Sequence, residues 1–446
     1  MRKSSVQVAV AGAGPAGAIA ARQLGLAGLD VVLIDPFVTP AGHLIESFPA
    51  SGAPLAEEIG LLAAICDVSD GPAEAMRMAW RDVPETRAFE GAGPLLLDRI
   101  ALHEKVRAEA LRHVTPLQAR LRGVVTSGRK VELSTSAGTI RCDMLIDARG
   151  RQAQKRAASD VTALPFSAVN DLPPHQMWLE ALPDGWVWAC SLGGGVVQGA
   201  VFQRAAVLAG MRGPARAAYV ADCLAGTDTF VGARGIDAGK PAAAGLSAAA
   251  DPLVSERHIL VGDAALARDP IASHGLVHAM RSGVQGALAV LTALDRDCDS
   301  HAAFSFMRHK HREAVAAARL ATQRAYADQS RFETPFWATC EPPRVIPEQP
   351  DIGHGAVTLA APLTRAPVLE NDRIRWRPAI ELSASDSFLT GLGSISALDI
   401  AAACRPPAPL PEIANRLGRQ HDMPAVFEVL ERLTLGGAFV QAAVAP

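Results

Sequence analysis

The chain has seven cysteines, at 66, 142, 190, 223, 298, 340 and 404, and no two of them form a C-x-x-C or C-x4-C pair. That spacing excludes zinc-ribbon and dithiol-redox chemistry, leaves no metal site to expect, and suits scattered buried thiols in a reducing compartment. A dominant charge of one sign is also missing: 43 Lys and Arg stand against 46 Asp and Glu. Such a chain carries no electrostatic footprint for nucleic acid or an anionic membrane. No stretch reaches the roughly 20 uninterrupted apolar residues of a membrane helix. Val6 to Ile34, behind Arg2 and Lys3, superficially resembles a secretory leader, but Gly12, Gly14, Pro15, Gly17 and Arg22 interrupt it. The cytoplasm is the expected location. With 446 residues, 49% of them hydrophobic and 20% charged, the chain is long enough for two or three domains with buried cores.

What is present begins at the N-terminus. Val6–Val10 reads as a short buried parallel strand, followed at once by Gly12-Ala13-Gly14-Pro15-Ala16-Gly17 and a helical segment from Ala18 to Leu26. Val31–Ile34 forms a second strand that ends in Asp35. Gly12 permits the tight strand-to-helix turn, Gly14 lets backbone approach a pyrophosphate, and Gly17 lets helix and sheet pack closely. The helix N-terminus offers unpaired N–H groups and partial positive charge to phosphates. Asp35 is placed to accept hydrogen bonds from ribose hydroxyls. The order strand, glycine turn, helix, strand, acid predicts a dinucleotide site.

Far downstream, His258-Ile-Leu-Val-Gly262-Asp263-Ala-Ala265 is followed by Asp269-Pro270-Ile-Ala-Ser-His274-Gly275-Leu276 and an Ala- and Leu-rich helix from about Gly275 to Leu294. Together with the first motif this resembles the second FAD fingerprint of the aromatic-hydroxylase and tryptophan-halogenase flavoproteins. The resemblance implies non-covalent FAD, with Gly262 and Asp263 at the ribityl chain and Gly275 and Leu276 starting a helix aimed at the flavin pyrimidine ring. A helix dipole with available N–H groups suits the anionic reduced flavin. Asp98-Arg99 opens a segment that resembles the family helix whose arginine contacts the cofactor, so Arg99 is expected there, or else solvated behind a cap made by Asp98. Met144-Leu-Ile-Asp147 resembles the strand before the family's D-x-x-G turn, with Asp147 expected to be structural. Ile45-Glu46-Ser47-Phe48-Pro49 resembles the G-E-S-x-P loop of the halogenase branch, which puts Glu46 and Ser47 beside the flavin or simply in a surface loop.

The implied fold is mixed α/β: a Rossmann-like FAD-binding domain in three parts (1–75, 96–160, 255–330), an inserted β-sheet substrate domain (76–95 and 161–254), and a C-terminal region (331–446) with a small winged-helix-like module. No second Rossmann fingerprint exists; Gly193-Gly-Gly195 reads as a hairpin turn. NADH or NADPH, if used, would bind transiently. Asp184-Gly-Trp186-Val-Trp188 resembles the G-W-x-W of the halogenases and their hydroxylase cousins, and the two indoles, on one side of a strand, either wall a substrate tunnel or pack the sheet. Halogenases rely on a lysine between the E-S loop and the arginine helix, and no lysine stands between Lys3 and Lys105. Hydroxylation through a C4a-hydroperoxyflavin made from O2 is what the resemblance then implies, with His274 as the expected base, or else a histidine that caps its loop by hydrogen bonding to backbone.

After about Ser330 the pattern changes. Glu341-Pro-Pro343, Pro347 and Pro350 break regularity; Ala397–Ala402, Leu410–Leu417 and Pro424–Leu433 read as short helices, and Leu433–Val440 as a strand pair. From Asp386 onward there are six acids, four arginines and no lysine, which argues against DNA binding by this module. An added module suits a macromolecular substrate. The combination resembles the flavoprotein monooxygenases that mature peptidyl quinone cofactors, which implies hydroxylation of a tryptophan in a quinoprotein small subunit docked on the C-terminal module. Hydroxylation of a small free aromatic, an FAD reductase of the geranylgeranyl-reductase kind, and a binding protein that keeps FAD for structure remain alternatives.

Overall fold

The computed structural model describes residues 5–38, 45–90, 93–153, 160–272, 274–338, 355–384 and 387–442. Arg2, Lys3, Cys340 and the prolines between 341 and 350 lie outside them. The chain divides into two compact units, Met1–Ala287 with Ala314–Pro343, and Leu288–Glu313 with Arg344–Pro446.

The first unit is built on two large sheets. In one, Ser5–Ala11 lies between Val31–Asp35 and Gly138–Asp147, all parallel, and His258–Leu260 and Thr115–Gln118 extend the parallel order on either side. Buried on both faces, these strands read as continuous apolar runs, as parallel strands should: Val8, Ala9, Val10, Leu33, Leu145 and Ile146 have no accessible surface. The helix Pro15–Leu26 starts three residues earlier than the apolar periodicity suggests, because Pro15 occupies its first turn behind Gly14 as N-cap. The second sheet is largely antiparallel, in the order Arg234–Ala238, Val161–Val169, Val196–Arg204, Gly185–Ser191, Gln176–Leu182, Ala75–Ala79, Glu85–Ala88. Gly193–Gly195 forms the turn of its central hairpin. A third, three-stranded sheet pairs Ile45–Phe48 and Ser69–Pro72 with Leu95–Asp98.

The second unit has its own core, in which Val357, Ile380, Ile400, Ile413, Val426 and Phe439 are buried together. The helices Ala397–Ala403, Leu410–Leu417 and Met423–Leu435 occupy the three segments expected to be helical. The chain end departs from the expected strand pair. Residues to Leu435 stay helical, Gly436 and Gly437 stop the helix, and only Phe439–Gln441 is a strand; its partner is Val357–Leu359, far away in sequence. The hairpin Thr364–Glu370/Arg373–Leu382 was hidden in the poorly periodic stretch. Its turn residues Asn371 and Asp372 both adopt positive φ, which asparagine and aspartate tolerate best after glycine.

Candidate functional site

At the first turn, Gly12 has φ +101°, and a Cβ on it would lie 2.4 Å from the Ala148 carbonyl oxygen. A Cβ on Gly17 would lie 2.0 Å from the Gly12 carbonyl oxygen. These two glycines let strand, turn and helix close on one another. Gly14 differs: nothing lies within 4 Å of where its Cβ would be. The backbone is thus bare at the point where the first amides of the helix face outward, the arrangement that receives phosphate. Asp35 braces the same turn. Its Oδ2 accepts the Ala13 N–H at 2.8 Å and its Oδ1 accepts the Phe37 N–H at 2.6 Å. Beside it opens a cavity of about 160 Å³ lined by Ala13, Gly14, Asp35, Ile100, His103 and Arg107. The Arg107 guanidinium stands 5.7 Å from the centre of the Phe37 ring at this cavity. Burial, with the charges of Arg99 and Arg107, lowers the His103 pKa to about 4, so it lines the space as a neutral imidazole. The bare Gly14, the braced carboxylate and this cavity fit the diphosphate and adenosine end of FAD.

The second turn meets the first. Gly262 has φ +58°, and a Cβ on it would stand 2.6 Å from the Ala16 Cβ. Its N–H donates to Ser282 Oγ at 2.9 Å, tying the turn to the helix Gly275–Leu294. One apolar cluster joins four segments distant in sequence: Ile19 after the first turn, Phe48 of the E-S strand, Leu102 of the Arg99 helix, and Leu276 and Met280 of the second helix. Glu46 and Arg99 come together across the third sheet at 3.6 Å. The Glu46 strand pairs with the strand that leads into the Arg99 helix, so that Ile45 opposes Asp98 and Glu46 opposes Leu97. Burial raises the Glu46 pKa; Arg99 lowers it and the nearby Asp263 raises it again. Ser47 is buried, Asp263 half-buried, and His274 and Gly275 are exposed at the helix start. Asp98 caps the Arg99 helix by accepting the Ile100 and Ala101 N–H groups at 2.8 and 3.0 Å.

Asp147 is fully buried. Burial pushes its pKa up, but His258 and the hydrogen bonds of Arg149 outweigh this and hold it at about 2. It acts as a fixed anion that pins the turn following its strand. On the substrate sheet, Trp186 is 1% exposed and stacks on Phe202 with ring centres 3.6 Å apart. Trp188 shares that face, half-buried, and packs against the aromatic cluster around Trp186 and against Met177 and Cys190. Sequence reasoning passed over His103, Arg151 and Asp269. For Asp269 a signal existed, since it opens the very loop that precedes the second helix. Among the described residues no cluster of His, Cys, Asp and Glu is arranged to hold a metal ion, and no helix is long and apolar enough to cross a membrane.

Residues 158–352 match the model of the tryptophan halogenase family. Among solved structures, the chain is similar to the peptidyl tryptophan dihydroxylase QhpG, essential for tryptophylquinone cofactor biogenesis, with a TM-score of 0.72 and 22% identity over 97% of this chain and 99% of that one. It is similar to the flavin-dependent halogenase CmlS with a TM-score of 0.74 and 17% identity, over 100% of this chain and 99% of that one. The flavin-dependent brominase Bmp2 covers 72% of this chain, at a TM-score of 0.59 and 19% identity, with 87% of its own length matched. No curated protein matches the chain. At these identities the shared property is the fold: mixed α/β, as in the flavin-dependent halogenases and the dihydroxylase.

Proposed function

We propose that the protein is an FAD-dependent monooxygenase that hydroxylates an aromatic ring, and that the ring is a tryptophan side chain of a partner polypeptide on its way to a tryptophylquinone. The observation that carries this reading is the convergence of the two glycine turns, with Gly262 against Ala16 and one apolar cluster gathering the Arg99 helix and the E-S strand around them. The full-length likeness to a peptidyl tryptophan dihydroxylase supports the substrate. The lack of any lysine between Lys3 and Lys105 speaks against halide transfer.

In this reading Gly12, Gly14, Ala16 and Gly17 shape the diphosphate seat, and Asp35 binds the ribose. Arg99, with Glu46 and Ser47 beside it, borders the cofactor. Gly262 and Asp263 hold the ribityl chain, and the backbone at Gly275 and Leu276 faces the pyrimidine ring. FAD, once bound, supplies electron transfer from NADH or NADPH and the activation of O2. The chain's own work is to orient the ring, exclude water and handle protons. Trp188, half-buried, forms part of the substrate wall with Trp186 packed behind it, and His274, exposed at the helix start, serves as a base exchanging protons with solvent. The C-terminal part of the second unit, Arg344–Pro446, is the docking module for the polypeptide, and the cytoplasm is the proposed location.

The test supplies FAD, NADH or NADPH, isotopically heavy O2 and a tryptophan-bearing polypeptide, and weighs the product. Heavy oxygen on the indole supports the proposal. Halide-dependent addition of chlorine or bromine would make the protein a halogenase. Oxygen-independent saturation of an alkene would make it a reductase, and modification of free aromatics alone would remove the polypeptide.

A further inference from the structure

The loop before the second helix carries a buried acid that the reading above leaves without a task. Asp269 is 4% exposed. Its Oδ1 accepts the Ile271 N–H at 3.1 Å, and its Oδ2 faces Tyr326 Oη at 3.4 Å. Tyr326 is one of two tyrosines in the chain and is 7% exposed. Trp186 Nε1 lies 3.2 Å from Tyr326 Oη. An indole nitrogen can only donate, so the phenol oxygen accepts from Trp186 and its own hydrogen points to Asp269. The direction of this chain is therefore fixed by chemistry: Trp186 to Tyr326 to Asp269. At 3.4 Å the last link is long for a hydroxyl–carboxylate bond and stabilises the anion little. Arg151 is the cation that acts on Asp269, through its charge; two of its hydrogen bonds go to the Gly245 and Ala244 carbonyls at 2.7 and 2.8 Å, and it serves Asp263 as well. Burial raises the Asp269 pKa to about 6, against the opposing pull of the Ile271 N–H, Tyr326 and Arg151. Burial thus makes this carboxylate a better proton acceptor than an exposed aspartate. Tyr326 and Ile271 pack in the same aromatic cluster as Trp186 and Trp188, the side proposed above for the substrate.

We infer that Tyr326 and Asp269 form an internal proton relay that accepts the proton lost by the hydroxylated ring. The inference rests on the monooxygenase reading and deepens it. Once the ring carbon has gained its oxygen, its C–H bond breaks and the electron pair restores aromaticity. The proton bonds to Tyr326 Oη as the phenol O–H bond breaks, and that proton bonds to Asp269 Oδ2. The oxygen atom comes from O2 and the electrons from NADH or NADPH, so the relay moves protons only.

Two measurements test this. In flavin-free protein, infrared spectra across pH should show a protonated-carboxyl band that titrates near pH 6. Asp269→Asn should abolish it, and Tyr326→Phe should move its midpoint only slightly upward, since the long hydrogen bond that is lost favoured the anion weakly. In the loaded enzyme, Tyr326→Phe should slow product formation by about 10²-fold, the usual worth of a positioned acid–base group, with flavin reduction and FAD affinity unchanged. Asp269→Asn should erase the acidic limb of the pH–rate profile. Absence of the band in wild-type protein overturns the relay, as does a Tyr326→Phe enzyme with normal rate. A wild-type enzyme that hydroxylates nothing would instead overturn the monooxygenase reading, while the infrared arm still judges the pair. Tyr326→Phe leaves Asp269 in place, so a misfolded Asp269→Asn protein does not remove the test.

Discussion

Gly262 and Ala16, 246 positions apart by their numbering, touch so closely that a methyl group on the glycine would stand 2.6 Å from the Ala16 Cβ. The contact makes each glycine turn a wall of the other. It also separates glycines that hold the fold from the one that faces a ligand.

Gly262→Val should therefore destabilise the protein even without flavin. A β-branched residue at φ +58° with that clash costs on the order of 3 kcal/mol. Gly14→Val has open space to enter, so its flavin-free stability should stay within about 1 kcal/mol of wild type, while FAD retention is lost. Thermal unfolding and flavin absorbance read both, and a Gly14→Val protein that stays yellow would remove the diphosphate seat.

Asp35 holds two backbone amides as well as facing the cavity. Asp35→Ala strands both donors and should cost about 1–3 kcal/mol. Asp35→Asn keeps one carbonyl acceptor, so it should fold better than the alanine variant yet bind FAD weakly. Urea unfolding beside a flavin titration separates the two losses; equal FAD affinity in wild type and Asp35→Asn would argue against a ribose contact.

Stability should vary with pH at Glu46. Burial raises its pKa in the folded chain. A carboxyl with a native pKa above its unfolded value binds its proton more tightly when folded, so its contribution is fully present below the unfolded pKa and is lost as pH rises through the folded one. Flavin-free Glu46→Gln should match wild type at acid pH and gain on it as pH rises past 4.5. A stability difference that stays constant across the acid-to-neutral range would contradict the assigned direction.

Replacing His274 by alanine should slow product formation more than flavin reduction, because a base acts after the flavin is reduced. Stopped-flow measurement of both half-reactions decides, and equal slowing of the two would end its candidacy.

Deleting everything after Ser330 is a poor probe of docking. Residues 288–313 belong to the second unit, where Thr292 Oγ1 accepts the Ile374 N–H at 3.0 Å and Asp295 pairs with Arg373 at 2.8 Å. Such a truncation should aggregate. Phe427, 60% exposed on its helix, is the better site. Phe427→Glu should leave folding and turnover of free aromatics intact while lowering turnover of the polypeptide, and unchanged kinetics on both would move docking elsewhere.

The sequence by itself determined the local pieces. Gly12 to Gly17 between two apolar strands, Gly262-Asp263 before an Ala-rich helix, and the helices after 397 all follow from turn chemistry and from 3.6- or 2-residue periodicity, which act over a few neighbours. Only the tertiary structure decided which pieces meet. Phe439 pairs with Leu359 because a strand needs a partner, and no local rule names one. Trp186 became a donor to Tyr326, and the Asp269 pKa was raised, because burial removed water from groups that would otherwise be ordinary. Backbone preference is written residue by residue, whereas desolvation and proximity arise only when distant segments share one interior.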